Sequence, residues 1–286
     1  MKVIPVLAVI ILFMYVSCSD NITNPPRGGE SGIVWEKING SIAFKYNDSL
    51  FLANKTTRSV KNLGSCLLSN LKFSHAFELI TGVNSVNVDG AITYSLEAYD
   101  LDGNHSEVDE PEAFNSLLYD WLPDGRLAHI NSSGLVFIGN FVLTDVVFNA
   151  NGMDCSPDGK KIVVANFDEE TSTAELIEID IATGDSSLLS MDRDNHYSDP
   201  VYSPDSKKVL FVNSRTNNMG NSVKDIFITP HTSLGITGEN PNWSADGSKV
   251  IFSSIDIDGP HIFVFDVNEN TSTEVIPGGK YPLWIE

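Results

Sequence analysis

Beyond residue 30 the chain is a succession of short apolar runs separated by polar turns. An alternating pattern runs through much of AELIEID (174–180), the period of a half-buried strand, and HIFVFD (261–266) is the corresponding run of a later repeat. Continuous apolar runs appear in KIVVAN (161–166), KVLFVN (208–213) and KVIFSS (249–254), as in strands covered on both faces. Convincing 3.6-residue periodicity is absent, so the pattern predicts an all-β chain with few helices.

The runs recur with a fixed grammar. Four stretches align without gaps: Trp121-Leu-Pro-Asp-Gly, Cys155-Ser-Pro-Asp-Gly, Tyr202-Ser-Pro-Asp-Ser and Trp243-Ser-Ala-Asp-Gly. Each places an Asp (Asp124, Asp158, Asp205, Asp246) three residues after an aromatic or Cys. Proline presets φ for the second turn position, Asp tolerates the third, and Gly closes the turn. The repeated Asp residues therefore read as turn-capping groups. Trp284 ends the series, and Trp35 and Phe77 continue it more weakly upstream. The markers at 35, 77, 121, 155, 202, 243 and 284 are 42, 44, 34, 47, 41 and 41 residues apart. Four strands in each repeat of about 40 residues are the pattern of a propeller blade. The expectation is a six-bladed β-propeller of four-stranded antiparallel blades. The strand near Tyr281–Ile285 should join the blade begun by the N-terminal strands and close the ring. Residues 60 to 120 fit least well. Ile92–Val108 also resembles the last strands of a fibronectin type III domain. Such a domain needs about 90 residues of its own, so a divergent blade is expected there.

The Trp-Ser-Pro-Asp-Gly-Lys-x-Ile/Val motif, followed by a strand ending in Asp, resembles the TolB-like "PD" propeller repeat. The likeness is direct from Trp121 to Trp284 and rests on spacing alone from Trp35 to Trp121. TolB proteins carry an α/β domain ahead of the propeller, so the resemblance implies a propeller-only relative whose partners are its own.

Residues 1–17 carry one Lys, a short apolar run and a small residue, the layout of an export signal. Ending in Val16-Ser17-Cys18, they resemble a bacterial lipoprotein signal, although Tyr15 stands where that pattern prefers Leu. The resemblance implies lipidation of Cys18 and membrane attachment through that lipid only. Residues 18–30, rich in Pro, Gly and polar side chains, read as a tether. The propeller is then assigned to 31–286. Two cysteines remain; Cys66 and Cys155 could pair in an exported protein, but Cys155 fills an aromatic position of the repeat and reads as a buried thiol.

Charge narrows the partners. With 18 Lys and Arg against 38 Asp and Glu, the formal net charge is −20, which argues against nucleic acid, whose phosphates require basic clusters. Catalytic motifs are missing: there is no G-x-S-x-G elbow and no H-E-x-x-H. The histidines (75, 105, 129, 196, 231, 261) are scattered, although a ring could bring His75, His196 and a carboxylate together. Asp100-x-Asp102-Gly-Asn104 spaces oxygen ligands as Ca²⁺ loops do, but reads better as a hairpin turn. The expectation includes neither a metal nor another cofactor.

The informative positions are those that break the repeat at the entrance to each inner strand: Asp120, Asp154, Asp199, Asn240 and Tyr281. Near a channel mouth, they are candidates for contact with a ligand or partner peptide. The sequence is thus read as a non-catalytic binding or adaptor propeller of the bacterial cell envelope, outer-membrane-anchored and facing the periplasm or the surface. Its partners would be envelope proteins or peptide segments. A channel-sited polysaccharide lyase or hydrolase, and a sugar or small-ligand sensor, are the alternatives.

Overall fold

The computed structural model describes residues 32–285 except 90, 112, 113 and 194. The expected export signal (1–17), Cys18 and the expected tether (18–30) lie outside the described residues. Six four-stranded antiparallel sheets make up the molecule, with one 3₁₀ turn at Trp35–Lys37 as its helical content among the described residues. No helix there is long and apolar enough to cross a membrane. The arrangement is the expected six-bladed propeller.

Blade one contains β1 (Ser41–Tyr46), β2 (Ser49–Asn54) and β3 (Ser59–Ser65). Blade two follows as β4 (Ser69–Ser74), β5 (Leu79–Val88), β6 (Ala91–Asp100) and β7 (His105–Glu107). Blade three is the smallest, with β8 (Leu118–Trp121), β9 (Leu127–Ile130), β10 (Val136–Ile138) and β11 (Phe141–Val142). Its three- and two-residue outer strands account for the 34-residue interval in the repeat. Blade four comprises β12 (Ala150–Cys155), β13 (Lys161–Asp168), β14 (Thr173–Asp180) and β15 (Ser186–Arg193). Blade five has β16 (His196–Tyr202), β17 (Val209–Thr216), β18 (Ser222–Ile228) and β19 (Thr232–Thr237). Blade six has β20 (Glu239–Trp243), β21 (Lys249–Asp256), β22 (Gly259–Asp266) and β23 (Thr271–Pro277). The last strand, β24 (Lys280–Ile285), pairs antiparallel with β1 and becomes the inner strand of blade one.

Two of the seven markers are corrected, the first by this closure. Blade one takes its inner strand from the C-terminus, so no inner strand exists near Trp35. Trp35 instead sits in the 3₁₀ turn and is buried with Trp284, Phe44 and Val264 in the cluster joining blades six and one. In blade two the marker is Phe73, not Phe77. Phe73 faces Ile80 across its hairpin, the same offset as Cys155 with Ile162, Tyr202 with Val209 and Trp243 with Val250. Phe77 lies in the following turn and packs edge-on against Trp121 of blade three. Residues 69–107 form a blade, as expected.

The turn motif has a physical explanation in the Ser-x-Asp pair. Ser156 Oγ donates to Asp158 Oδ1 at 2.7 Å and accepts from the Lys161 amide at 2.9 Å. Ser203 with Asp205, and Ser244 with Asp246, repeat this bond at 2.7 Å. The hydroxyl hydrogen bond, the first cause in each case, holds all three carboxyls below their usual range. The closing residue has positive φ in every copy: +85° at Gly125, +71° at Gly159, +60° at Ser206 and +67° at Gly247. These serines are buried structural groups. Hydrophobic burial then fills the spaces between blades; Leu210, Val212, Ile226, Trp243 and Phe265, for instance, join blades five and six.

Two outcomes follow. Removing residues after Gly279 deletes β24 and leaves β1 as an open edge; the truncated chain should unfold or oligomerise, read by thermal melting and sedimentation, and a monomer with unchanged melting temperature contradicts the closure. Ser156→Ala leaves turn amides without their acceptor and should cost about 1–3 kcal/mol in denaturant titrations.

Candidate functional site

The six inner strands enclose a central cavity of about 710 Å³ that opens among the repeat turns. All five sequence candidates, Asp120, Asp154, Asp199, Asn240 and Tyr281, line it. They occupy two different register positions. Asp120 and Asp154 directly precede the aromatic or Cys marker, whereas Asp199, Asn240 and Tyr281 stand three residues before it. The latter three have φ near +50°, as does Asn70 in blade two, and each marks a bulge in its inner strand. Gly152 occupies this position in blade four, where a Cβ would lie 2.6 Å from Pro200 of the next blade.

The carboxylates fasten blades together. Asp120 Oδ2 accepts from the Cys155 amide at 2.7 Å, and Asp154 Oδ2 accepts from the Tyr202 amide at 2.8 Å. Asp199 Oδ2 accepts from the Asn240 amide at 3.2 Å, and Asn242 Oδ1 from the Trp284 amide at 3.0 Å. The remaining junctions use donors: Asn70 Nδ2 reaches the Leu117 carbonyl at 2.6 Å, and Lys45 Nζ reaches the Leu68 carbonyl at 2.7 Å. Sequence reading missed Lys45, Asn70 and Asn242.

It also missed Lys72. From blade two this side chain crosses past blade three, placing Nζ 2.8 Å from Asp154 Oδ1 and 3.8 Å from Asp120 Oδ2. It also donates to the Met153 carbonyl at 3.3 Å. Only 14% of the Lys72 side chain is exposed, and 12% and 11% of Asp154 and Asp120. Two carboxylates thus share one ammonium in a poorly hydrated place. The pair of anions pulls the lysine well above its usual pKa, against the desolvation that favours its neutral form. Burial, the largest cause, pushes the Asp154 carboxyl up to about 7; Lys72 pulls it down and Asp120 pushes it further up. Burial likewise raises the Asp199 carboxyl, and the Asn240 amide lowers it.

The histidines do not converge. His75 lines the cavity, while His196 begins β16 and stacks on Phe167 with centroids 4.4 Å apart. Among the described residues no His/Cys/Asp/Glu group is arranged to hold a metal ion. Asp100 is a turn residue: its carboxylate accepts from the Asp102 and Asn104 amides at 2.9 and 2.8 Å. Among the described residues a Ser–His–Asp grouping lies between blades four and five. Ser190 Oγ lies 3.1 Å from His231 Nδ1, and Asp192 Oδ2 lies 3.7 Å from His231 Nε2. Ser190 is only 7% exposed and His231 Nδ1 also meets the Tyr197 hydroxyl at 3.0 Å, so the hydroxyl is buried in a polar junction between blades whose His231 and Asp192 side chains reach the surface. Cys66 and Cys155 are both buried and free, the latter in the inner wall of blade four.

No family model and no curated protein matches the chain in sequence. Solved structures do match in shape. TolB from Acinetobacter baumannii superposes with a TM-score of 0.67 at 16% identity, over 86% of this chain and 66% of that one. A TolB-type chain from Agrobacterium tumefaciens gives 0.58 at 18% identity, over 82% and 87%. A chain of a nidogen–laminin complex gives 0.59 at 11% identity, over 83% and 93%. The fold is that of a TolB-like six-bladed β-propeller. The chain spans 66% of the length of the Acinetobacter TolB.

The buried triad makes stability depend on pH. Asp154 binds its proton more tightly folded than unfolded, where its value is near 3.8. Its contribution is therefore full below that value and lost as pH rises through about 7. The melting temperature should fall between about pH 4 and pH 7, and Asp154→Asn should flatten that slope; a slope unchanged in the variant contradicts the assignment. Lys72→Met strands two buried carboxylates and should cost about 3–5 kcal/mol at alkaline pH, with less loss under mildly acidic conditions.

Proposed function

We propose that this chain is a non-catalytic recognition propeller of the bacterial cell envelope, binding a segment of a partner protein in its central cavity. One observation carries the reading: the cavity's two most enclosed carboxylates, Asp120 and Asp154, are engaged in holding the ring. Both Asp154 oxygens are engaged, by Lys72 and by the Tyr202 amide, and Asp120 accepts the Cys155 amide. What faces the open space is a rigid wall of proline and aromatic rings with polar groups from Asp199, Asn240 and Tyr281. Such a surface suits a peptide segment, whose apolar side chains pack while its amides meet fixed acceptors. Export and attachment through lipid on Cys18 are part of the proposal and rest on the N-terminal sequence.

A second reading, a channel-sited lyase or hydrolase, draws on the two adjacent carboxylates and the raised pKa of Asp154, a combination found at general-acid sites. The engagement of both Asp154 oxygens favours recognition.

A photo-reactive phenylalanine analogue at Tyr281, which is 36% exposed at the cavity, discriminates the readings. Irradiated envelopes should yield a discrete crosslinked protein from position 281 and none from exposed Ser187 on the outer edge. Absence of any position-specific product, together with turnover of a glycan that Asp154→Asn abolishes, would sink the recognition reading in favour of the enzyme.

A further inference from the structure

The charges on the cavity wall do not balance. Three carboxylates, Asp120, Asp154 and Asp199, line it with one lysine, Lys72. Lys72 is committed to the first two, at 3.8 and 2.8 Å. Lys224, from the same blade as Asp199, is paired with Glu239 at 2.5 Å. Asp199 is left over. Its Oδ2 accepts the Asn240 amide at 3.2 Å. Among the described residues its Oδ1 has no hydrogen-bond donor, and no Lys, Arg or His nitrogen lies within 4 Å of either oxygen. The side chain is half-buried, and burial, the first cause, holds its carboxyl above the usual range. An ionised carboxylate in so poorly hydrated a place gains more from an incoming cation than one in open water.

The neighbours of Asp199 suit a long cationic side chain. Asn240 and Tyr281 hold the equivalent bulged position in the next two blades. Asn240 Oδ1 accepts from Ser253 Oγ at 3.2 Å and, with two lone pairs, can take one donor more. The Tyr281 ring already has Lys45 Nζ and Lys280 Nζ at 5.7 and 5.6 Å, so it offers packing for an apolar stem while Asp199 supplies the charge. On the other flank Gly152, at the same position in blade four, contributes no side chain. One carboxylate is too few ligands for a metal ion, and no metal-holding group exists among the described residues. The formal charge of −20 draws basic segments toward the molecule from a distance.

Resting on the reading of the cavity as the site of a partner's segment, we infer that Asp199 anchors that segment by an arginine or lysine side chain. Oδ1 accepts an N–H of the cation, Asn240 Oδ1 takes a second donor, and the stem of the side chain packs toward Tyr281.

The test titrates the whole chain calorimetrically with three capped tripeptides. They are acetyl-Leu-Arg-Leu amide, acetyl-Leu-Lys-Leu amide and acetyl-Leu-citrulline-Leu amide, the last a neutral isostere of the first. At least one cationic peptide should bind at least about tenfold more tightly than the citrulline form. Asp199→Asn should erase that preference. Asp258→Asn, which removes the same charge from an exposed turn, should keep it. Asparagine retains an acceptor for the Asn240 amide and tolerates positive φ, and it removes a carboxylate whose ionised form burial disfavours. The Asp199→Asn chain should therefore melt no lower than the unaltered one at pH 7, whereas a purely structural carboxylate predicts a lower melting temperature with the preference intact. Absence of binding by all three peptides, equal affinity for them, or a charge preference that survives Asp199→Asn overturns the anchor. The Tyr281 crosslink separates this failure from that of the recognition reading. A crosslinked protein whose yield Asp199→Asn leaves unchanged defeats the anchor alone. A crosslink missing from the unaltered chain defeats the partner segment itself.

Discussion

The innermost strand of each blade is a sheet edge facing its neighbours, and its amides have no ladder partner on that side. Buried amides must find acceptors. Here the preceding blade supplies them, through Asp120 to Cys155, Asp154 to Tyr202, Asp199 to Asn240 and Asn242 to Trp284. That requirement concentrates carboxylates around the central cavity. Their mutual repulsion in turn explains why a lysine from blade two is buried against one of them in blade three and another in blade four. The cavity's electrostatics are thus a by-product of holding the ring together, and its capacity for recognition lies in what that task leaves over: proline rings, aromatic faces and the groups of the bulged positions.

The architecture was legible in the sequence because its strongest signals are local. Pro-Asp-Gly fixes a turn through its own dihedral preferences, and the runs after it alternate or remain apolar according to how many faces are covered. The closure was legible because Tyr281-Pro-Leu-Trp284 repeats the entry of a blade without the strands of one. Where blade two replaces Pro-Asp-Gly with His75-Ala76-Phe77, the local signal fails, and the marker was set four residues late. Hairpin spacing would have found it, since Phe73 stands seven residues before Ile80 as Trp243 does before Val250.

The site was legible in part. The five candidates line one cavity, yet the two positions they occupy differ: X-Pro entries take the left-handed bulge at Asp199, Asn240 and Tyr281, while Asp120 and Asp154 face the next blade. Lys72 could not be singled out, because a lone lysine in a strand pattern looks like a solvent-facing residue. Its importance arises only from curvature that brings blade two opposite blade four.

The reach of Lys72 past blade three has a consequence for cooperativity. In a linear repeat array each unit touches only its neighbours, and the structure can fray unit by unit from an end. Here a single ammonium ties the second blade to the third and the fourth at once. Opening any one of these three blades exposes a buried charge belonging to another. They therefore form one unit of local unfolding, and the small third blade, with the shortest outer strands, borrows its persistence from the two beside it.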